Sequence, residues 1–243
     1  MDKHLLTQFD ADLDSIARKV LAMGGLVESQ LDKSVTALTN FDAHLADFVM
    51  RQELRIDEME IEIDADCTNL IARRTPVARD LRFAMAVSKI VTNLERAGDE
   101  AERIAKRSKH IMEAAAAHVI NFSEVKLAGD MAGAMLRDTL DAFARQDAAA
   151  AAAIIERDQL LDDEFRAFVR KLISYMMEDP RVISTALDFL FIAKAIERIG
   201  DHATNISELV VYVVEGTDVR HALRGERREA ERRAPPADRK SVV

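Results

Sequence analysis

Four pairs of acids in this sequence could do chemistry. Glu95 and Asp99, Glu197 and Asp201, Glu53 and Asp57, and Asp158 and Asp162 each stand four positions apart. On an α-helix that spacing stacks two carboxylates one turn apart on the same face. Like charges so placed destabilise a helix by about 0.2 to 0.5 kcal/mol per pair, so a pair that recurs four times needs compensation. A hard cation bound through oxygen (Mg, Ca, Mn or Fe) would supply it, since carboxylates suit such ions better than thiolate-seeking ones. A solvated acidic face is the other account, and in a chain with 43 acids the spacing leaves both open. Arg103 stands one turn after Asp99, but the matching place after Asp201 is Asn205, which brings no charge.

Other chemistries lack their residues. A ferritin-type di-iron site needs Glu-x-x-His on two helices, and no Glu here has His three positions later. That weighs against a metal-dependent helical-bundle enzyme or an iron-storage protein, the alternative reading. There is no Gly-rich phosphate loop ending in Lys and Ser or Thr, and no His-Glu-x-x-His. Cys67 and the six histidines show no regular ligand spacing; His202, beside Asp201, reads as a surface residue or as a support for a ligand. No nucleophile has an evident base, so the expectation is a protein without catalytic activity or organic cofactor.

The elements that carry these acids are long helices. Leu6, Phe9, Leu13, Ile16, Val20, Met23, Val27, Leu31, Val35 and Leu38 recur at steps of three and four along a first helix, with Gly24-Gly25 expected to loosen its middle. A link near 40–43 leads to a second helix over about 44–73, ended by Thr75-Pro76 because proline disfavours helical geometry in the residue before it. Pro76 is expected to open a third helix, striped by Leu81, Ala84, Val87, Val91, Leu94, Gly98, Ala101 and Ala105 and reaching toward the alanine run at 114–117. The rest repeats this, with helices over 122–143, from 148 to about 179, and from Pro180 to about Val214. A shift of 102 positions lays the third-helix stripe on Ile183, Ala186, Phe189, Ala193, Ile196, Gly200, Ala203 and Ser207, and lays Glu95-Arg96-Ala97-Gly98-Asp99 on Glu197-Arg198-Ile199-Gly200-Asp201. That in-register match marks an internal duplication. The fold expected is all-α, two tandem, duplicated three-helix bundles over 1–118 and 119–222, each up-down-up because short links make consecutive helices antiparallel. Gly98 and Gly200 each cost about 1 kcal/mol against alanine inside a helix; close approach of a neighbouring helix backbone would justify them, as would clearance for a ligand beside the acids.

Composition narrows the function further. The 243 residues carry a net charge of −9, which argues against nucleic-acid binding driven by phosphate neutralisation. From Arg224 onward seven Lys or Arg face four acids, and this 223–243 segment reads as a disordered basic tail, either simply solvated or in contact with an anionic membrane surface or an acidic partner. No segment approaches the roughly 20 apolar residues of a membrane span. A lone cysteine and an N-terminus without a basic, apolar leader fit the cytoplasm.

Four motifs together resemble the PhoU family of accessory regulators of bacterial phosphate-specific transport: Arg73-Arg74-Thr75-Pro76-Val77-Ala78-Arg79-Asp80-Leu81-Arg82, Glu95 to Asp99, Tyr175-Met176-Met177-Glu178-Asp179-Pro180-Arg181, and Ile196 to Asp201. The resemblance spans about residues 5 to 221. It implies two three-helix bundles, often paired as a homodimer, that repress the phosphate-starvation response when phosphate is plentiful. In the family this occurs through the ATPase of the phosphate ABC transporter and the sensor histidine kinase PhoR, at the inner face of the membrane. Some members bind metal clusters through acid pairs of this kind while others show none, which implies Glu53, Asp57, Glu95, Asp99, Asp158, Asp162, Glu197 and Asp201 as metal ligands. The polar motif residues Arg74, Pro76, Asp80, Arg82, Arg96 and Arg198 are the candidate partner contacts. The second half lacks an equivalent of Asp80-Leu81-Arg82, having Ile183-Ser184 there, and the Arg-rich tail lies outside the pattern.

Overall fold

The computed structural model describes residues 2–113 and 120–218, with side chains from residue 9 onward. The alanine run at 114–117 and the segment 223–243 lie outside the described residues. Among the described residues there are six long helices and no strand: α1 (Asp2–Asn40), α2 (Ala43–Arg74), α3 (Ala78–Glu113), α4 (Ser123–Arg145), α5 (Ala148–Glu178) and α6 (Ile183–Glu215), the last preceded by a 3-10 turn at Pro180–Val182. Each second helix starts on an aspartate whose side chain accepts a backbone N–H: Asp42 from Leu45 at 3.0 Å and Asp147 from Ala150 at 2.9 Å. Such caps satisfy one of the free donors of a first turn, and here they stand at duplicated positions.

Two local expectations are corrected. Pro76 does not open α3, because Thr75 (φ 43°) and Ala78 (φ 47°) are both left-handed and bracket Pro76-Val77 in a link through which helical geometry cannot pass. Gly24-Gly25 does not loosen α1, which is continuous; Gly24 instead receives Leu140 of α4, whose Cδ1 would lie 2.6 Å from any added Cβ.

The apolar stripes face inward. Of the matched third-helix positions only Leu81 and Ile183, in the first turns at the edge of the bundle, are exposed, and the rest are buried. All six helices contribute to one continuous core. The two halves therefore join through apolar packing as well as through the chain. At the join α3 and α6 run antiparallel: Asn93 meets His202, Glu100 meets Arg198, and Arg107 meets Asp188. Those contacts are centred on the two Glu-Arg-x-Gly-Asp motifs, which thus cross at the middle of the molecule.

Candidate metal centre

Amphipathic packing of α2 on α3 turns both acid ladders of the first half toward the same seam. Glu53 is buried at 7% exposure, and Asp57, Glu95 and Asp99 are half-buried. Burial followed by repulsion from Asp99, Asp57 and Glu102 pushes the Glu53 carboxyl up to about 8. Glu95 is raised by burial and then by Asp99, Glu60 and Asp57. The amide of Gln30, turned so that its nitrogen faces the carboxylate, donates to Glu53 Oε2 at 3.3 Å, while Oε1 is buried with no partner. Asp57 and Asp99 thus push up both glutamates, the signature of acids held together without enough positive charge.

The second half repeats the gathering with its own cations. Asp201 is pushed up to about 6 by burial and then by Glu197 and Asp158, and Asp162 is raised by burial, Asp158 and Glu197. Lys194 pairs with Glu197, and Arg166 with Asp162 at 3.4 Å. Thr204 donates to Asp158 Oδ1 at 3.4 Å. The eight predicted ligands thus form two separate groups of four, one per half, and none of the eight is exposed. A freely solvated acidic face does not describe them. Among the described residues no three His, Cys, Asp or Glu side chains are gathered into a ready metal shell. The all-oxygen donor set, its mutual repulsion and the orphaned Glu53 Oε1 fit a hard cation better in the first group than in the second, where Lys194 and Arg166 already supply charge.

The motif glycines make room for this seam. A Cβ on Gly98 would meet Ile56 Cδ1 at 3.0 Å and the Glu53 oxygens at 3.2 and 3.3 Å, and one on Gly200 would strike Leu161. Side chains of the second helices, rather than helix backbones, occupy the space. Arg103 does not compensate Asp99; it pairs with Glu100 at 2.7 Å. His202 is buried rather than on the surface, its Nδ1–H donating to Asn93 Oδ1 at 3.1 Å, and burial lowers its pKa to about 4.

The six candidate partner residues are not brought together. Arg74 pairs with Asp12 at 3.3 Å, Pro76 and Asp80 are half-buried at the α2–α3 link, and the Arg82 guanidinium lies against Gly216 at the end of α6. Arg96 and Arg198 are exposed on the α3–α6 faces, and Arg198 reaches Glu100 at 3.2 Å. Glu60 and Glu102, absent from the sequence reading, join the first group. Both continue a ladder at i+7 (Glu53-Asp57-Glu60 and Glu95-Asp99-Glu102), a signal the four-residue spacing alone overlooks.

Comparison with known proteins adds to this geometry. A family model for the PhoU domain matches residues 20–108 and again 125–210. The chain belongs to the PhoU family. The two PhoU matches fall on the two halves that the 102-residue shift relates. A Burkholderia sp. protein described as a phosphate-specific transport system accessory protein PhoU homolog is 53% identical over 222 residues, covering 91% of this chain and 94% of its own. The PhoU accessory protein of Escherichia coli strain K12 is 42% identical over 221 residues, 91% of each chain. The crystal structure of Pseudomonas aeruginosa PhoU matches with a TM-score of 0.83 at 43% identity, over 86% of this chain and all of that one. PhoU of Streptococcus pneumoniae, described as a phosphate transport system regulatory protein, matches with a TM-score of 0.80 at 28% identity, covering 87% and 99%. No helix among the described residues is long and apolar enough to cross a membrane.

Proposed function

We propose that this chain is an accessory regulator of phosphate-specific transport that represses the phosphate-starvation response, acting as an adaptor between the transporter ATPase and the sensor histidine kinase PhoR at the inner face of the membrane. The match of the PhoU family model to both halves carries this reading, and relatives named for that transport system support it. In this role the protein works as a dimer and binds rather than catalyses: rigid helices present surfaces to two partners.

The carboxylates serve that scaffold. Glu53 and Asp57 of α2 with Glu95 and Asp99 of α3 would hold a hard cation such as Mg, Mn, Fe or Ca, with Asp158, Asp162, Glu197 and Asp201 as a weaker second set. Bound there, such an ion supplies positive charge at the α2–α3 seam. The chain's own part is to bury Glu53 over Gly98 with Gln30 on one oxygen, so that the other is left for a ligand. The deciding experiment replaces Glu95 and Asp99 with alanine in the chromosomal gene and reads a phosphate-starvation reporter in high phosphate. Derepression at normal protein level is expected. Unchanged repression removes the regulatory role of this pair.

A further inference from the structure

On the outer side of the α3–α6 crossing, duplication has produced two grooves of different chemistry. One, of about 550 Å³, is lined by Arg103, Lys106, Arg107 and His110 of α3 with Phe191, Lys194 and Arg198 of α6. Its counterpart, of about 370 Å³, is lined by Ser88, Lys89, Thr92, Asn93 and Arg96 of α3 with Asn205 and Leu209 of α6. At the 102-residue shift Arg103, Lys106 and Arg107 correspond to Asn205, Glu208 and Leu209, while Phe191 and Lys194 correspond to Lys89 and Thr92. The cations and the aromatic ring have been concentrated in one groove of a pair with a common origin.

In that groove the charges are layered. Arg103, Lys106, Arg107, Lys194 and Arg198 keep 40–53% of their side chains exposed, whereas their partners Glu100, Glu102, Asp188 and Glu197 keep 6–18%. The acids lie beneath and hold the cations outward, so a protein of net charge −9 shows solvent a positive face here. Held from below, these cations keep about half of each side chain in solvent, and their outward faces remain available to a second acid. Arg107 also covers the Phe191 ring at 4.6 Å. Ile183, Leu187 and Phe191, at 41%, 40% and 50% exposure, form an i, i+4, i+8 row about 12 Å long that leads into the cations. A free polyanion would leave that row in water; a helix with apolar residues at steps of three and four and acids on its flanks would cover both.

We infer that the Phe191–Arg107 groove is a docking site for an acidic amphipathic helix of a partner protein, and that its duplicated counterpart is not. This inference rests on the adaptor reading. The test uses the purified full-length chain, with the phosphate transporter ATPase subunit and the cytoplasmic part of the sensor kinase as separate probes, at about 50 and about 300 mM salt. Lys106→Gln/Arg107→Gln and, separately, Leu187→Ser should weaken at least one probe by about tenfold, the charge variant also flattening the salt dependence, while Lys89→Gln in the other groove stays within about twofold. Groove variants that keep wild-type helicity and bind like wild type overturn the inference and leave the adaptor reading standing. Failure of the wild type to bind either probe overturns both. Binding to phosphatidylglycerol vesicles that needs Lys106 and Arg107, in place of either protein, would make the groove a lipid contact and also overturn it.

Discussion

The carboxylate of Glu53 rests on Gly98, with both oxygens 3.2 to 3.3 Å from where a Cβ would stand. The cost of glycine in a helix interior therefore supports a buried acid in the first half. In the second half the same position of the motif, Gly200, seats the apolar Leu161, and the acid one turn before it is the shorter Asp158. One motif has thus been put to two uses: clearance for a carboxylate, and clearance for a core side chain.

Alanine at the two glycines should separate those uses. Gly98→Ala gains about 1 kcal/mol of helix propensity, which offsets the small shift forced on Ile56 and Glu53, so stability changes by no more than about 1 kcal/mol. Displacing Glu53 should weaken cation binding by about tenfold or more. Gly200→Ala strikes the end of Leu161 and should lose about 1 to 3 kcal/mol by overpacking. Urea unfolding, paired with a manganese titration of each variant, checks both; a large stability loss in Gly98→Ala with unchanged affinity would refute the assignment.

Stability of the cation-free protein should fall as pH rises from about 6.5 to about 8, opposite to ordinary acid denaturation. Glu53 titrates at about 8 when folded, against an ordinary value of 4.5. Below 4.5 both states hold the proton and Glu53 contributes no pH dependence. Between 4.5 and about 8 the unfolded chain releases a proton that the folded chain keeps, so unfolding is increasingly favoured; above 8 the loss is complete. Asp201, raised from 3.8 to about 6, adds a smaller loss in its own lower window. His202, held neutral by burial, acts in the opposite direction between about 4 and 6.5, so melting temperatures in chelator should decline from about pH 6.5 to about pH 8, and Glu53→Gln should flatten that decline. A wild-type curve rising from about pH 6.5 to about pH 8 would contradict it.

Cation binding should be unequal between the halves. Each group has a buried oxygen without a hydrogen-bond partner, Glu53 Oε1 and Glu197 Oε2, but in the second Lys194 stands against that oxygen and Arg166 against Asp162. Elemental mass spectrometry on protein purified without an affinity tag should find Mg, Mn or Fe that is lost with Glu95→Ala/Asp99→Ala and largely retained with Glu197→Ala/Asp201→Ala. Equal losses would show the two sites to be equivalent after all.

Much of this was legible in the residues. The three-and-four stripes gave six helices, and the Glu-Arg-x-Gly-Asp repeat gave the duplication, because burying an apolar face and repeating a sequence both leave one-dimensional periodic traces. What Pro76 does was not legible, since the left-handed turns at Thr75 and Ala78 that set it apart come from how the link closes. Nor was the burial of His202, which depends on Asn93 from a helix 109 positions away. The unequal electrostatics of the two acid groups, by contrast, has a trace in the sequence that the acid spacing alone passes over: Arg166 stands four positions after Asp162 and Lys194 three before Glu197, each pair on one helix.

The join between the halves offers the last test, because it too follows the duplication. Gly24 of α1 receives Leu140 of α4, and Gly129 of α4 receives Val35 of α1; a shift of 105 positions carries Gly24 onto Gly129 and Val35 onto Leu140. Two matching glycine seats thus set how closely α1 and α4 approach. Adding a methyl group at either seat should cost about 1 to 3 kcal/mol through overpacking, even though alanine favours the helix. Shortening the opposing side chain should return part of that loss, so Gly24→Ala combined with Leu140→Ala should be less destabilised than the sum of the single changes, and Gly129→Ala with Val35→Ala likewise. A double-mutant cycle by urea unfolding measures the coupling directly. Additive losses at both seats would mean that the helices give way around the added methyl group and that these glycines do not set the α1–α4 distance.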